Sequence, residues 1–179
     1  MEVGSLRERI IIALLIQQFG SEHVVTNGIT EHELDVLFFN DRISIKTVSG
    51  PDLTDIKAIW TVDRESAREF IINYSPTCDI LLIHINWGRM GCIYYIPVNV
   101  QQDILTISGR ENYLKMPPEN TNPRGVVIRK NIVKRLAAHE NTIRIPISWP
   151  EVNVEYDPHE KWVEMWNEVL PSEGSLRLL

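Results

Sequence analysis

From Asp79 to Trp87 the chain carries Ile80, Leu81, Leu82, Ile83 and Ile85 with little polar interruption, and beyond Asn86-Trp87-Gly88-Arg89 it resumes as Cys92-Ile93-Tyr94-Tyr95-Ile96. Strands this apolar have to be covered on both faces, so the pair predicts a hairpin through the centre of a sheet with helices on either side. An α/β fold follows, with a central mixed sheet flanked by helices. The 179 residues, 44% hydrophobic and 23% charged, fit one domain spanning 1–179.

Elements before and after the hairpin show the expected periodicities. Residues 6–19 read as a helix with Ile11, Ile12, Leu15, Ile16 and Phe19 at helical spacing and Gly20 as its stop. Residues 33–39 and 42–48 read as two strands joined at Asn40-Asp41. Asp63 can cap a helix with an Ala67, Phe70, Ile71 and Tyr74 stripe that ends at Ser75-Pro76, and Pro97 opens a short helix to Ile107. Residues 108–125 are loop-rich, 128–138 form a basic amphipathic helix, 142–147 an edge strand, and 157–170 a closing helix with proline in its first turn.

The longest apolar run, Ile10 to Ile16, is too short to span a bilayer, so no membrane association is expected. Cys78 and Cys92 both sit in apolar stretches without metal-ligand spacing, which points to a reducing cytoplasm. The five histidines show no i, i+4 zinc pair, and neither a phosphate-binding glycine loop nor a nucleophile elbow is present. Net charge is −6, yet residues 110–135 hold seven basic side chains against two acidic ones. Charge segregated in this way suits an anionic partner.

The first strand pair carries the chemistry. A turn at Asn40-Asp41 pairs Leu37 with Ser44 and Asp35 with Lys46. Alternation then places Asp35, Ser44 and Lys46 on one face, while Val36, Phe38, Ile43 and Ile45 line the opposite, core-facing side. Glu8, on the apolar stripe of the first helix, is a carboxylate that needs a cation or donors. Acids beside a lysine on antiparallel strands suit metal-assisted attack on a phosphodiester: carboxylates hold Mg²⁺, and the lysine orients or deprotonates water. The plain alternative is a cross-strand Asp-Lys pair worth about 0.2–1 kcal/mol.

Asp35-Val36-Leu37 followed by Ile43-Ser44-Ile45-Lys46-Thr47, with an acidic residue in the preceding helix, resembles the PD-(D/E)XK nuclease core, and within it the small type II restriction endonucleases. The segments Cys78 to Val98 and Asn112 to Val127, the latter with Asn122-Pro123-Arg124-Gly125, are also similar to parts of such enzymes. The resemblance implies a restriction-endonuclease-like core over 6–97: a helix, three antiparallel strands, a helix and a further strand. It also implies Mg²⁺-dependent hydrolysis of DNA at a short specific duplex sequence, with water attacking in line and leaving a 5′ phosphate.

By position, Asp35 is the principal metal ligand, the Ile45 carbonyl a second, Lys46 the water-positioning residue, and Ser44 a weaker or water-mediated ligand. Ser44 stands where the family usually places its second acid, and no proline precedes Asp35. Glu8, Glu31 or Glu33 would then supply the missing carboxylate.

A recognition segment is expected over 108–135. Arg124, beside Asn122 and before Gly125, is placed to read a guanine edge bidentately. Lys115, Lys130 and Lys134 suit phosphate contacts, and Lys57 the backbone near the scissile phosphate. Arg89 and Met90 at a hairpin tip can enter a groove, where methionine can wedge between base steps. Double-stranded DNA and a homodimer are the expected partners, with a monomer nicking each strand in turn as the alternative. A structure-specific nuclease such as a junction resolvase, and a non-catalytic DNA-binding module for which Ser44 argues, are the rival readings.

Overall fold

The computed structural model describes residues 3–26, 33–59, 63–117, 125–151 and 157–169. In chain order the first elements are α1 (Val3–Phe19), β1 (Val24–Val25), β2 (Val36–Phe38), β3 (Asp41–Ser49), β4 (Ile56–Ile59), α2 (Arg64–Asn73) and β5 (Asp79–Ile85). They continue with β6 (Arg89–Ile96), α3 (Val98–Ser108), α4 (Arg110–Tyr113), β7 (Leu114–Lys115), β8 (Val126–Ile128), α5 (Lys130–Ala138), β9 (Ile143–Trp149) and α6 (Pro158–Val169).

A six-stranded mixed sheet runs β1-β2-β3-β5-β6-β9, with β3 and β5 parallel and every other neighbour antiparallel. The predicted central hairpin is β5–β6, with Leu82 opposite Tyr94 and His84 opposite Cys92. Its two faces feed two cores. On one side Ile43, Ile45, Ile83 and Ile85 meet Ile11, Ile12, Leu15 and Ile16 of α1. On the other, Val48, Ile80, Leu82 and Ile96 pack with Ala67, Val100, Ile104, Ile132, Val133 and Leu136 from α2, α3 and α5. Burying a side chain of this kind is worth about 1.5–3 kcal/mol, so each helix is held mainly by its apolar stripe.

β4 does not join the main sheet, against the expected three antiparallel strands. It forms a smaller sheet, β4-β8-β7, in which β7 lies within the stretch that reads in sequence as loop-rich and β8 directly follows it. Two- and three-residue strands such as β7 and β8 carry too few side chains to show alternation, and their pairing comes from tertiary packing.

Several sequence signals act as expected. Asp63 caps α2 by accepting the Ser66 backbone N–H at 2.7 Å. Pro97 stands at the N-cap of α3 without a capping side chain; Asp79 of β5 supplies one, accepting the Val98 N–H at 2.7 Å and the Tyr95 hydroxyl. Gly91 lets β9 cross closely, since a Cβ there would collide with the His84 carbonyl and the Trp149 indole.

The first hairpin turns one residue earlier than the sequence suggests. Phe38 pairs with Asp41, so Phe39 and Asn40 are the turn residues, both with positive φ at 49° and 71°. Left-handed φ strains phenylalanine by about 1–3 kcal/mol. Offsetting this, the Phe39 ring stacks on His23 at 4.4 Å and meets Phe38 and Phe19 edge-on, each aromatic pair worth about 0.5–1.5 kcal/mol, and its N–H donates to the His23 carbonyl at 2.9 Å.

Candidate active site

Moving the turn by one residue shifts the pairing by two. Val36 lies opposite Ile43, which brings Asp35 level with Ser44 rather than Lys46. A shift of two preserves the facing of every side chain, so Asp35, Ser44 and Lys46 still share one side of the sheet. Just outside β2, Asp35 holds the strand edge through its own N–H, which donates to the Ile43 carbonyl at 3.1 Å.

Three donors converge on one oxygen. Asp35 Oδ2 accepts the Ile45 backbone N–H at 2.7 Å, the Ser44 hydroxyl at 3.2 Å and Lys46 Nζ at 3.3 Å. Ser44 is 4% exposed, and the Asp35 and Lys46 side chains are 28% and 17% exposed. None of these hydrogen bonds uses Asp35 Oδ1, which leaves that oxygen as an acceptor for a cation.

Glu33 lies close by. Its carboxylate accepts the Thr77 hydroxyl at 2.9 Å, and it lines a cleft with Ser44, Lys46, Lys57, Tyr74, Cys78 and Gln101. Burial raises the Glu33 pKa above its ordinary 4.5, opposed by hydrogen bonds from Thr77 and Tyr74 and by the Lys46 charge. The cleft's free space of about 10 Å³ is enough for one water or one ion. Among the described residues no group of three or more histidine, cysteine, aspartate and glutamate side chains gathers at a metal-binding distance. What the site offers is a sparse set of hard oxygens, which suits Mg²⁺.

The sequence-predicted residues divide. Asp35, Ser44, Ile45 and Lys46 come together, with Glu33 and Lys57 at the adjoining cleft. Glu8 rides on α1, the helix that packs against the Ile43 and Ile45 face of the sheet, opposite to the face that carries Asp35, Ser44 and Lys46. Lys115, Lys130 and Lys134 line a second groove together with Arg129. Arg89 and Met90 are exposed at the start of β6, opposite Trp149 and Ser148. Asn122, Arg124 and Glu31 lie outside the described residues.

Sequence reasoning missed Tyr74 and Thr77 as the holders of Glu33. Tyr74 looked like packing and Thr77 sits in a connection, so only the fold shows their proximity.

The profile of the restriction endonuclease ThaI family matches residues 1–168. The chain belongs to that family. Among solved structures, a restriction endonuclease in complex with substrate DNA superposes with a TM-score of 0.84 at 47% identity, covering 94% of this chain and 81% of the other. No curated relative matches the chain. The protein is therefore a type II restriction endonuclease, a site-specific nuclease, and its mixed sheet flanked by helices is the endonuclease fold that the sequence suggested. No helix among the described residues of the endonuclease is long and apolar enough to cross a membrane.

Proposed function

We propose that Asp35, Glu33 and Lys46 form the catalytic centre for Mg²⁺-dependent hydrolysis of a DNA phosphodiester within a short specific duplex sequence. The observation that carries this reading is the convergence of the Ile45 N–H, Ser44 and Lys46 on a single oxygen of Asp35. Those three donors fix the carboxylate in one orientation, with Oδ1 turned away from them. Oδ1 of Asp35 and the Glu33 carboxylate are the groups that would hold the ion. The Ile45 carbonyl joins them, since it shares the strand edge of the Ile45 N–H. When bound, Mg²⁺ would neutralise charge developing on the phosphate.

Lys46 holds the attacking water and offsets negative charge on the scissile phosphate. Ser44 is a positioning residue: it is buried and spends its proton on Asp35, so it fixes the carboxylate that the ion needs. Glu33 takes the place of the acid that Ser44 displaces, reaching the cleft from the segment before β2 rather than from β3.

Duplex DNA is the substrate in this reading, supported by the relative solved with substrate DNA. A homodimer, one centre per strand, fits the half-exposed stripe Leu6, Ile10 and Leu14 on the outer side of α1. Sedimentation equilibrium tests it, with a dimer mass expected and a monomer mass at micromolar protein contradicting it. Long duplex DNA with Mg²⁺ should yield discrete fragments, and EDTA should stop their formation. Cutting confined to branched DNA would point instead to a resolvase.

A further inference from the structure

A second feature lies beside the cleft. The groove lined by Asp55, Lys115, Arg129, Lys130, Asn131 and Lys134 holds about 440 Å³. Four cations line it, and two carboxylates from the connection between β3 and β4 pair with two of them, Lys115 and Lys130, while Arg129 donates to the Glu111 and Leu114 carbonyls. Asp55 accepts the Lys130 backbone N–H at 2.6 Å on Oδ1 and lies 3.4 Å from Lys115 Nζ on Oδ2. Asp52 lies 3.3 Å from Lys130 Nζ, and its pKa is lowered by the Lys130 hydrogen bond and by the charges of Lys134 and Lys130.

The groove adjoins the catalytic cleft along two strands. Asp55 directly precedes Ile56 and Lys57 of β4, and Arg129 directly follows Ile128 of β8; Ile56, Lys57 and Ile128 all line the cleft. Two residues of strand span about 7 Å, and duplex DNA presents a charge about every 3.4 Å of axis on each strand. A backbone passing the cleft therefore meets the groove within one or two phosphates.

Energetics decide what the carboxylates do there. Both lysine pairs are long and about half exposed, with side-chain exposures of 49% and 36% for Lys115 and Asp55 and 47% and 62% for Lys130 and Asp52. Exposed pairs of this kind contribute little to stability, so they are poor candidates for fold supports. They do place negative charge where a phosphate would go.

We propose that this groove seats a phosphodiester of the strand leading away from the cleavage centre, and that Asp52 and Asp55 hold its lysines until a DNA phosphate displaces them. The inference rests on the reading of the chain as a nuclease for duplex DNA. Occupied lysines cost every DNA sequence the same displacement, which suppresses loose binding to non-cognate duplex. A cognate site regains that cost through base contacts.

The test is fluorescence anisotropy of the full chain with a labelled non-cognate duplex, free of Mg²⁺, over a salt titration. Asp52→Asn and Asp55→Asn should each tighten binding about 3- to 10-fold at moderate salt and steepen the slope of log affinity against log salt by about one. Lys134→Ala should move both quantities the other way. Asp55→Asn keeps an oxygen for the Lys130 N–H, and Asp52→Asn, away from the helix end, reports even if the Asp55 variant folds poorly.

Affinity and slope unchanged in both aspartate variants would overturn the proposal. So would release of the duplex by inorganic phosphate at constant ionic strength, which would make the groove a free-anion site. If the parent chain cuts duplex DNA while the aspartate variants bind like it, this inference fails and the nuclease reading stands. A parent that neither binds nor cuts duplex removes both.

Discussion

Ser44 shows how the identity of one residue would redistribute the proposed catalytic set. A buried hydroxyl cannot lend a negative charge to a metal, but it can donate to Asp35, and it does so at 3.2 Å. In the proposed centre the missing charge falls to Glu33, which would have to stay ionised in a half-buried position. Burial raises its pKa above 4.5, so the folded state binds its proton more tightly than the unfolded chain does. That contribution to stability is present below pH 4.5 and is lost as pH rises through the raised value. Glu33→Gln should therefore gain stability relative to the parent between pH 4 and pH 8 in urea melts, while Mg²⁺-dependent cleavage falls about 10²-fold or more. An unchanged stability difference across that range would contradict a Glu33 pKa raised by folding. Asp35 and Lys46 were legible in the sequence because strand alternation depends only on parity. The register was not: the sequence sets Asp35 opposite Lys46, whereas Asp35 lies level with Ser44, because the turn residue Phe39 packs on His23 and Phe19, rings that lie outside the hairpin.

At the level of elements, what the sequence disclosed tracks the length of the periodic run. α1, α2, β3, β5, β6 and α5 each carry a stripe or an alternation long enough to read, and α2 also announces its start through Asp63. Asp63→Ala should cost about 1 kcal/mol, seen as a lower midpoint in thermal or urea unfolding. β1, β7 and β8 have two or three residues each, and pairing partners far along the chain create them. Gly91 belongs to the same class of hidden constraint. Its closeness to Trp149 becomes apparent only once β9 pairs with β6, and the Trp149 indole N–H donates to the His84 carbonyl at 2.9 Å across it. Gly91→Ala should destabilise the fold by about 1–3 kcal/mol and quench or shift tryptophan fluorescence from the β6–β9 edge. A fully native spectrum and midpoint would mean that the strands can separate there at little cost.

Over the whole molecule, an acidic protein concentrates positive charge in one stretch and then neutralises part of it from the connection after β3. The basic segment was legible as a local imbalance in the sequence, but Asp52 and Asp55 were not, since only the fold carries them 75 or more positions away onto Lys130. The same connection and the tip of the β5–β6 hairpin lie at one end of the sheet, tied by the contact of His84 Nε2 with the Gly50 carbonyl at 2.8 Å. Bound Mg²⁺ should link the two scales: if Asp35 and Glu33 hold the ion, millimolar Mg²⁺ raises the thermal midpoint of the parent, and Asp35→Ala loses that rise. The most direct measurement is single-turnover cleavage of a duplex carrying the recognised site, with Mg²⁺, by the parent and by Lys46→Ala and Asp35→Ala. The two variants should retain DNA binding in gel shift yet cut at least about 10³-fold more slowly. Cleavage by either variant at a rate near the parent's would show that the chemistry takes place elsewhere in the chain.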